Sequence, residues 1–123
     1  MFEPGGAVAP AAAESPNRWT QGVGVALSVV ERLAREAIRL GADALEVEYK
    51  NGHEQVFAVK GGMGYGIASL RSSGSEAASL RDELRAITRR KRRITVGDDE
   101  YELRGRVYES FGEDAFRVEL RRV

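Results

Sequence analysis

Residues 42–71 read ADALEVEYKNGHEQVFAVKGGMGYGIASLR. Leu45, Val47 and Tyr49 alternate with Glu46, Glu48 and Lys50, the period of a strand with one face in a core and the other in water. Asn51-Gly52 follows, a pair that tolerates the positive φ of a type I′ turn and closes a two-residue hairpin. That turn pairs Lys50 with His53, Val47 with Val56 and Leu45 with Ala58, so these apolar residues share the core face. Phe57 and Val59 then fall on the opposite face beside Glu46, which is expected to be only partly polar.

The stretch KGGMGYGIASL, residues 60–70, has the glycine content of a phosphate-binding loop. Such a loop joins a strand to a helix whose N-terminal amides face the anion, with a lysine and a hydroxyl after the last glycine. Here Ile67-Ala68 follow the last glycine and the run continues as an apolar strand. Gly61-Gly62 is therefore a second hairpin turn. Gly64 and Gly66 share one strand face and are expected to admit a helix or another backbone at close range.

Upstream, Val23, Leu27, Val30, Leu33, Ala34, Ala37 and Leu40 recur at three- and four-residue steps, predicting a helix over residues 19–40. Gly41 follows as the C-terminal stop. Downstream, residues 72–93 predict a second helix, with Ser73 and Glu76 at capping-box spacing. Ala77, Leu80, Leu84 and Ile87 form its apolar stripe, and Arg81, Asp82, Glu83 and Arg85 its wet side. Arg89, Arg90, Lys91, Arg92 and Arg93 close it, where cations complement the helix dipole. The chain then reads as a hairpin. Tyr101, Leu103, Gly105 and Val107 alternate with charged residues, as do Phe116, Val118 and Leu120 after the turn. Residues 94–96 are expected to add a short strand. The order is α-β-β-β-α-β-β(-β), an α+β fold with two helices on one face of an antiparallel sheet of five or six strands.

Composition sets bounds on function. The 123 residues carry 19 basic and 19 acidic side chains, so whole-chain charge favours no class of partner and only local patches can speak. The absence of cysteine excludes disulfides, thiolate metal sites and a thiol nucleophile. Residues 1–17, with prolines at 4, 10 and 16, read as a flexible Ala/Pro/Gly tail and neither a secretory signal nor a membrane span. Residues 18–123 read as one domain, expected in the cytoplasm.

Chemistry-bearing side chains are sparse. His53 is the lone histidine, without a second metal ligand. Glu46 and Glu48 share a strand face, as paired acid–base carboxylates do, but the wet face of a sheet has the same pattern. Asp98, Asp99 and Glu100 form an acidic turn whose consecutive side chains diverge. Trp19 anchors a helix start or marks a partner surface. Ser28 has no base beside it and no nucleophile elbow. No catalytic constellation emerges, and no enzyme activity, cofactor, metal or small-molecule ligand is expected. The basic run is the sharpest candidate: Arg89, Arg90, Lys91, Arg92 and Arg93, with Arg106, form an anion-binding hypothesis. A solvated helix end is the competing account. No aromatic side chains interleave to stack on bases. The face bearing Arg104, Arg106, Arg117 and Arg121 also carries cross-strand glutamates, which argues for internal pairing.

One further pattern spans residues 25–123. Ala37-Ile38-Arg39-Leu40-Gly41-Ala42, the strand positions Leu45, Val47 and Glu48, and the terminal Gly62 resemble the domain preceding the motor core of type II secretion and type IV pilus assembly ATPases. Arg106-Val107 and Gly112-Glu113 in the last hairpin echo the same family. The resemblance implies a PAS-like domain that packs on the ATPase core of a hexamer and lends arginines to its nucleotide site. The chain departs from the pattern at Asp43, Ala44, Glu46 and Tyr49, where the family has Ser, Asp, His and Pro. Phe57 and Val59 replace the family's two arginines, and Gly61 its aspartate. With those arginines absent and no Walker motif present, the resemblance implies a freestanding, degenerate relative without a nucleotide role. Such a relative is a protein-interaction module that binds a protein partner or itself. The alternative is a nucleic-acid- or anion-binding protein acting through the basic run.

Overall fold

A computed structural model describes residues 28–123. The expected tail over 1–17, Trp19, and the part of the expected first helix that carries Val23 and Leu27 lie outside the described residues. The elements are α1 (Val29–Arg39), β1 (Ala44–Lys50), β2 (His53–Lys60), β3 (Met63–Arg71), α2 (Ser75–Arg89), β4 (Arg92–Val96), β5 (Asp99–Ser110) and β6 (Glu113–Arg122). All strand pairings are antiparallel, and the sheet runs β3-β2-β1-β6-β5-β4. Two meanders, β1-β2-β3 and β4-β5-β6, join where Leu45 pairs with Val118 and Val47 with Phe116. The expected α+β architecture is present, with six strands.

Helix α1 begins at Val29 because Ser28 has extended backbone (φ −62°, ψ 155°) and its Oγ accepts a hydrogen bond from the Glu31 amide. Ser28 is thus a helix cap, not an interior residue of a longer helix. At the other end Gly41, at φ 84°, permits two closing bonds, from Ala42 N to Ala37 O and from Gly41 N to Ile38 O. This is the Schellman arrangement, and it turns the chain directly into β1.

The first hairpin has the expected register: Lys50 faces His53, Val47 faces Val56 and Leu45 faces Ala58. Leu45, Val47, Val56 and Ala58 are all buried. The second turn is Gly61-Gly62, with Lys60 facing Met63. Gly64 and Gly66 do not admit a helix. A side chain at Gly64 would meet only Phe57 at ordinary contact distance, and one at Gly66 would meet nothing. The Phe57 side chain instead lies beside these residues on the outer face. The close helix approach falls at Gly105, beneath α2.

Helix α2 departs from expectation at both ends. Its N-cap is Gly74, with no side-chain cap bond, so Ser73 and Glu76 form no capping box; Glu76 pairs with Arg32 at 2.7 Å instead. Its C-terminus falls at Arg89, and the basic run continues into β4. The stripe Ala77, Leu80, Leu84, Ile87 is buried as expected. It packs with Val30, Leu33, Ala34 and Ala37 of α1 onto the sheet face bearing Leu103, Phe116, Val118 and Leu120. Burial of these aliphatic side chains is the main stabilising term, roughly 1.5–3 kcal/mol for each large one.

Candidate functional site

The basic run was expected to end a helix. It is divided among three settings. Arg90 has extended backbone (φ −155°, ψ 122°), and the helix closes with the Arg90 amide donating to Ala86 O at 3.0 Å. β4 then starts at Arg92 and pairs with β5 from Arg92–Leu103 to Val96–Asp99. From Arg104 onward β5 has only β6 beside it. The last turn of α2 lies against this stretch. The result is a hollow of about 290 Å³ with Thr88, Arg89, Arg90, Lys91 and Arg104 as its polar lining.

Most of the run is already neutralised. Lys91 Nζ stands 3.0 Å from Glu102 Oε2, and Arg104 Nε 3.4 Å from Glu102 Oε1. The hydrogen bond from Lys91 holds the Glu102 carboxyl below its ordinary range, against the opposing effect of burial; the charges of Arg104 and Arg93 act in the same direction. Arg92 reaches back to α1, 3.5 Å from Glu31 Oε2 and 3.4 Å from Ser28 Oγ. Arg93 faces Glu100 at 3.4 Å and Arg106 faces Glu119 at 3.4 Å. Arg89 and Arg90 have no carboxylate within salt-bridge range among the described residues. The six candidate cations therefore do not form one patch: Arg92 and Arg93 point to opposite sheet faces by strand alternation. Within the hollow, Lys91 and Arg104 are both held by Glu102, and Arg89 and Arg90 are the cations without a described carboxylate partner.

Glu46 and Glu48 each have a partner of their own, one ionic and one a hydroxyl. Glu46 binds Arg117 at 2.7 Å. Glu48 accepts from the Tyr108 hydroxyl at 3.5 Å. Burial, followed by the nearby Glu46 and Glu48 charges, pushes the Tyr108 hydroxyl pKa up. Asp99 pairs with Arg122 at 3.1 Å, and Glu100 with Arg93. His53 Nδ1 lies 3.1 Å from its neighbour's carbonyl, Asn51 O. Among the described residues no group of three or more His, Cys, Asp or Glu side chains is placed to hold a metal ion, and no helix is long and apolar enough to cross a membrane.

Two features escaped the sequence reading. Glu54 lies on the core face of β2 and is 6% exposed. Its Oε2 accepts from Ser72 Oγ at 2.7 Å and from Arg81 Nη1 at 3.2 Å, and Arg81 Nη2 also donates to Ser72 O. The signal was available: Glu54 has the strand parity of Val56 and Ala58. The second feature is a mainly apolar hollow of about 550 Å³ beyond the end of α1, lined by Leu40, Ala42, Ala58, Lys60, Gly61 and Tyr65. Leu40 and Tyr65 are each half exposed, and Met63 more so. Met63 lies on the same strand face, because it pairs with Lys60 as Tyr65 pairs with Ala58.

No family model matches this sequence, and no curated protein matches it. Among solved structures the chain is similar to the ATPase DotB of Legionella pneumophila, at 19% identity and a TM-score of 0.46, over 88% of this chain and 31% of that one. The chain thus spans about a third of the length of DotB.

Proposed function

We propose that this chain is a non-enzymatic protein-interaction module, built like the domain that precedes the motor core in secretion and pilus-assembly ATPases. The observation that carries the reading is the exposed apolar group Leu40, Met63 and Tyr65 around the hollow at the β2–β3 end. Large apolar side chains gathered at one place on a surface mark contact sites more often than isolated ones do. The paired state of Glu46, Glu48, Asp99 and Glu100 supports the non-enzymatic part, since each already has a hydrogen-bonding or ionic partner.

The test is retention of proteins from lysate on the immobilised full chain, at physiological and at high salt, beside a Leu40→Ser/Tyr65→Ser variant that retains its circular dichroism. The expected result is a discrete protein, either a different chain or further copies of this one, held at high salt by the wild type and lost from the variant. Equal retention by both, or retention of no protein, overturns the reading.

A second reading has its own observation. Arg89 and Arg90 line a hollow with Arg104 and have no carboxylate partner among the described residues, which supports binding of a phosphate-bearing polymer. Salt separates the two readings, because phosphate binding weakens steeply as salt rises and apolar contact does not.

A further inference from the structure

We infer that β3 is a self-association edge, and that two copies of this chain pair β3 to β3 in antiparallel fashion about a two-fold axis. The inference rests on the protein-interaction reading above and assigns its partner as a second copy.

The sheet has two edges, β3 and β4, and they differ. β4 carries Arg92 and Arg93, and its Thr95 carbonyl already accepts a hydrogen bond from the Arg35 guanidinium of α1. Charge at a strand edge discourages pairing with another chain. Among the described residues β3 carries no charge before Arg71 at its C-terminal end. From Gly61 through Leu70 there is no charged residue, and Met63, Gly64, Tyr65 and Gly66 are all exposed. The one irregularity, a register shift opposite Val56 and Phe57, bends the edge without charging it.

The occupant follows from chemistry. An open strand edge presents backbone N–H and C=O groups that only another strand satisfies in series. A second β3 meets that need, and no charge is desolvated within residues 61–70 of either copy. With the axis normal to the sheet near Tyr65, both helix layers stay on one side, and Tyr65 and Met63 of both copies lie together on that side beside the apolar hollows. The contact is isologous and closes. Pairing β3 to β4 would leave a free edge at each end and build an open filament, and it would set Arg92 and Arg93 against an uncharged strand. The surface involved is small, so the dimer is expected to be weak, with a Kd roughly in the micromolar range or above.

Sedimentation equilibrium of the full chain across a wide concentration range, together with hydrogen exchange at both ends of that range, tests the inference. The expected result is a reversible monomer–dimer equilibrium in the wild type. Tyr65→Lys, at a half-exposed position, is expected to weaken it at least ten-fold, and Met63→Lys serves as an independent second variant. The β3 amides not bonded to β2 are expected to gain protection only at high concentration. A monomer at every concentration, a dimer indifferent to both lysines, or β3 protection that does not change with concentration overturns the inference. A monomeric chain that still retains a foreign protein through Leu40 and Tyr65 also overturns it, and leaves the interaction reading standing.

Discussion

Gly105 lies directly against Ile87 in the last turn of α2. A Cβ at Gly105 would stand 3.0 Å from Ile87 Cγ2 and 3.1 Å from the Thr88 amide nitrogen. A helix backbone atom cannot rotate away as a side-chain end can, so α2 would have to lift from β5. Gly105→Ala is expected to destabilise the fold by about 2 kcal/mol, the usual scale of overpacking. Gly66 is the control, because a Cβ there meets nothing within 4 Å. Gly66→Ala is expected to be neutral, or stabilising by up to about 1 kcal/mol through the unfolded chain. Urea unfolding of both variants measures the difference. Equal losses would show that contact with α2 is not what selects glycine at position 105.

Glu54, Ser72 and Arg81 make a second testable unit. The carboxylate is almost wholly buried, while the Arg81 side chain is 30% exposed, so water screens part of the attraction. Arg81→Met leaves Glu54 with the Ser72 hydroxyl alone and is expected to cost about 2 kcal/mol, much of it from the under-satisfied buried carboxylate. Glu54→Gln keeps an acceptor for both partners and is expected to cost about 1 kcal/mol. A double-mutant cycle by denaturant unfolding isolates the coupling. Strictly additive losses would mean that the three groups do not act together.

The strand pairing was legible because it rests on local rules. Asn51-Gly52 and Gly61-Gly62 set the register of β1, β2 and β3 through turn geometry, and the alternation of Leu45, Val47, Val56 and Ala58 named the core face. The α2 stripe and the Val30, Leu33, Ala34 and Ala37 part of the α1 stripe were legible for the same reason, but Leu40, expected in that stripe, sits at the helix C-cap and is half exposed. The misreadings came where tertiary contacts override local preference. Ser73 and Glu76 have capping-box spacing, yet Glu76 is drawn to Arg32 on the other helix. The basic run has good helix propensity at its start, but pairing of Arg92 with Leu103 and of Ile94 with Tyr101 pulls it into a strand. Gly64, Gly66 and Gly105 look alike in sequence, and only the packing of α2 decides which of them a helix approaches. The apolar hollow was not legible at all, because it joins Leu40 to Tyr65 across elements with no shared periodicity.

Glu102 gives a pH signature. Its carboxyl titrates below the ordinary range in the folded chain, first because of the Lys91 hydrogen bond. A lowered folded pKa means that the unfolded chain binds the proton more readily. The contribution is therefore fully present above the unfolded pKa, about 4.3, and is lost as pH falls through the lower folded value. The stability difference between wild type and Glu102→Gln is expected to be constant above about pH 5 and to shrink below about pH 4. Urea unfolding at a series of pH values checks this. A difference that grows on acidification would mean that burial, not Lys91, dominates the carboxyl.

The basic hollow separates cations without a described carboxylate partner from paired ones, and that separation is measurable. Arg89 and Arg90 have no described carboxylate partner, whereas Arg93 is 3.4 Å from Glu100. An anion that binds the hollow gains from the first two without breaking an existing pair, and gains less from Arg93. Fluorescence anisotropy of a labelled single-stranded oligonucleotide, from about 50 mM to 200 mM salt, covers the range in which phosphate contacts lose most affinity. Arg89→Gln and Arg90→Gln are each expected to weaken binding several-fold and to reduce the salt slope by about 1. Arg93→Gln is expected to change affinity by less than about two-fold, because the charge it removes is already partnered. Equal effects at all three positions would make the run a diffuse positive surface, and the hollow would lose its claim as a site. Absence of binding at the lowest salt would remove the phosphate reading and leave the apolar contact at Leu40 and Tyr65 as the account of what this chain does.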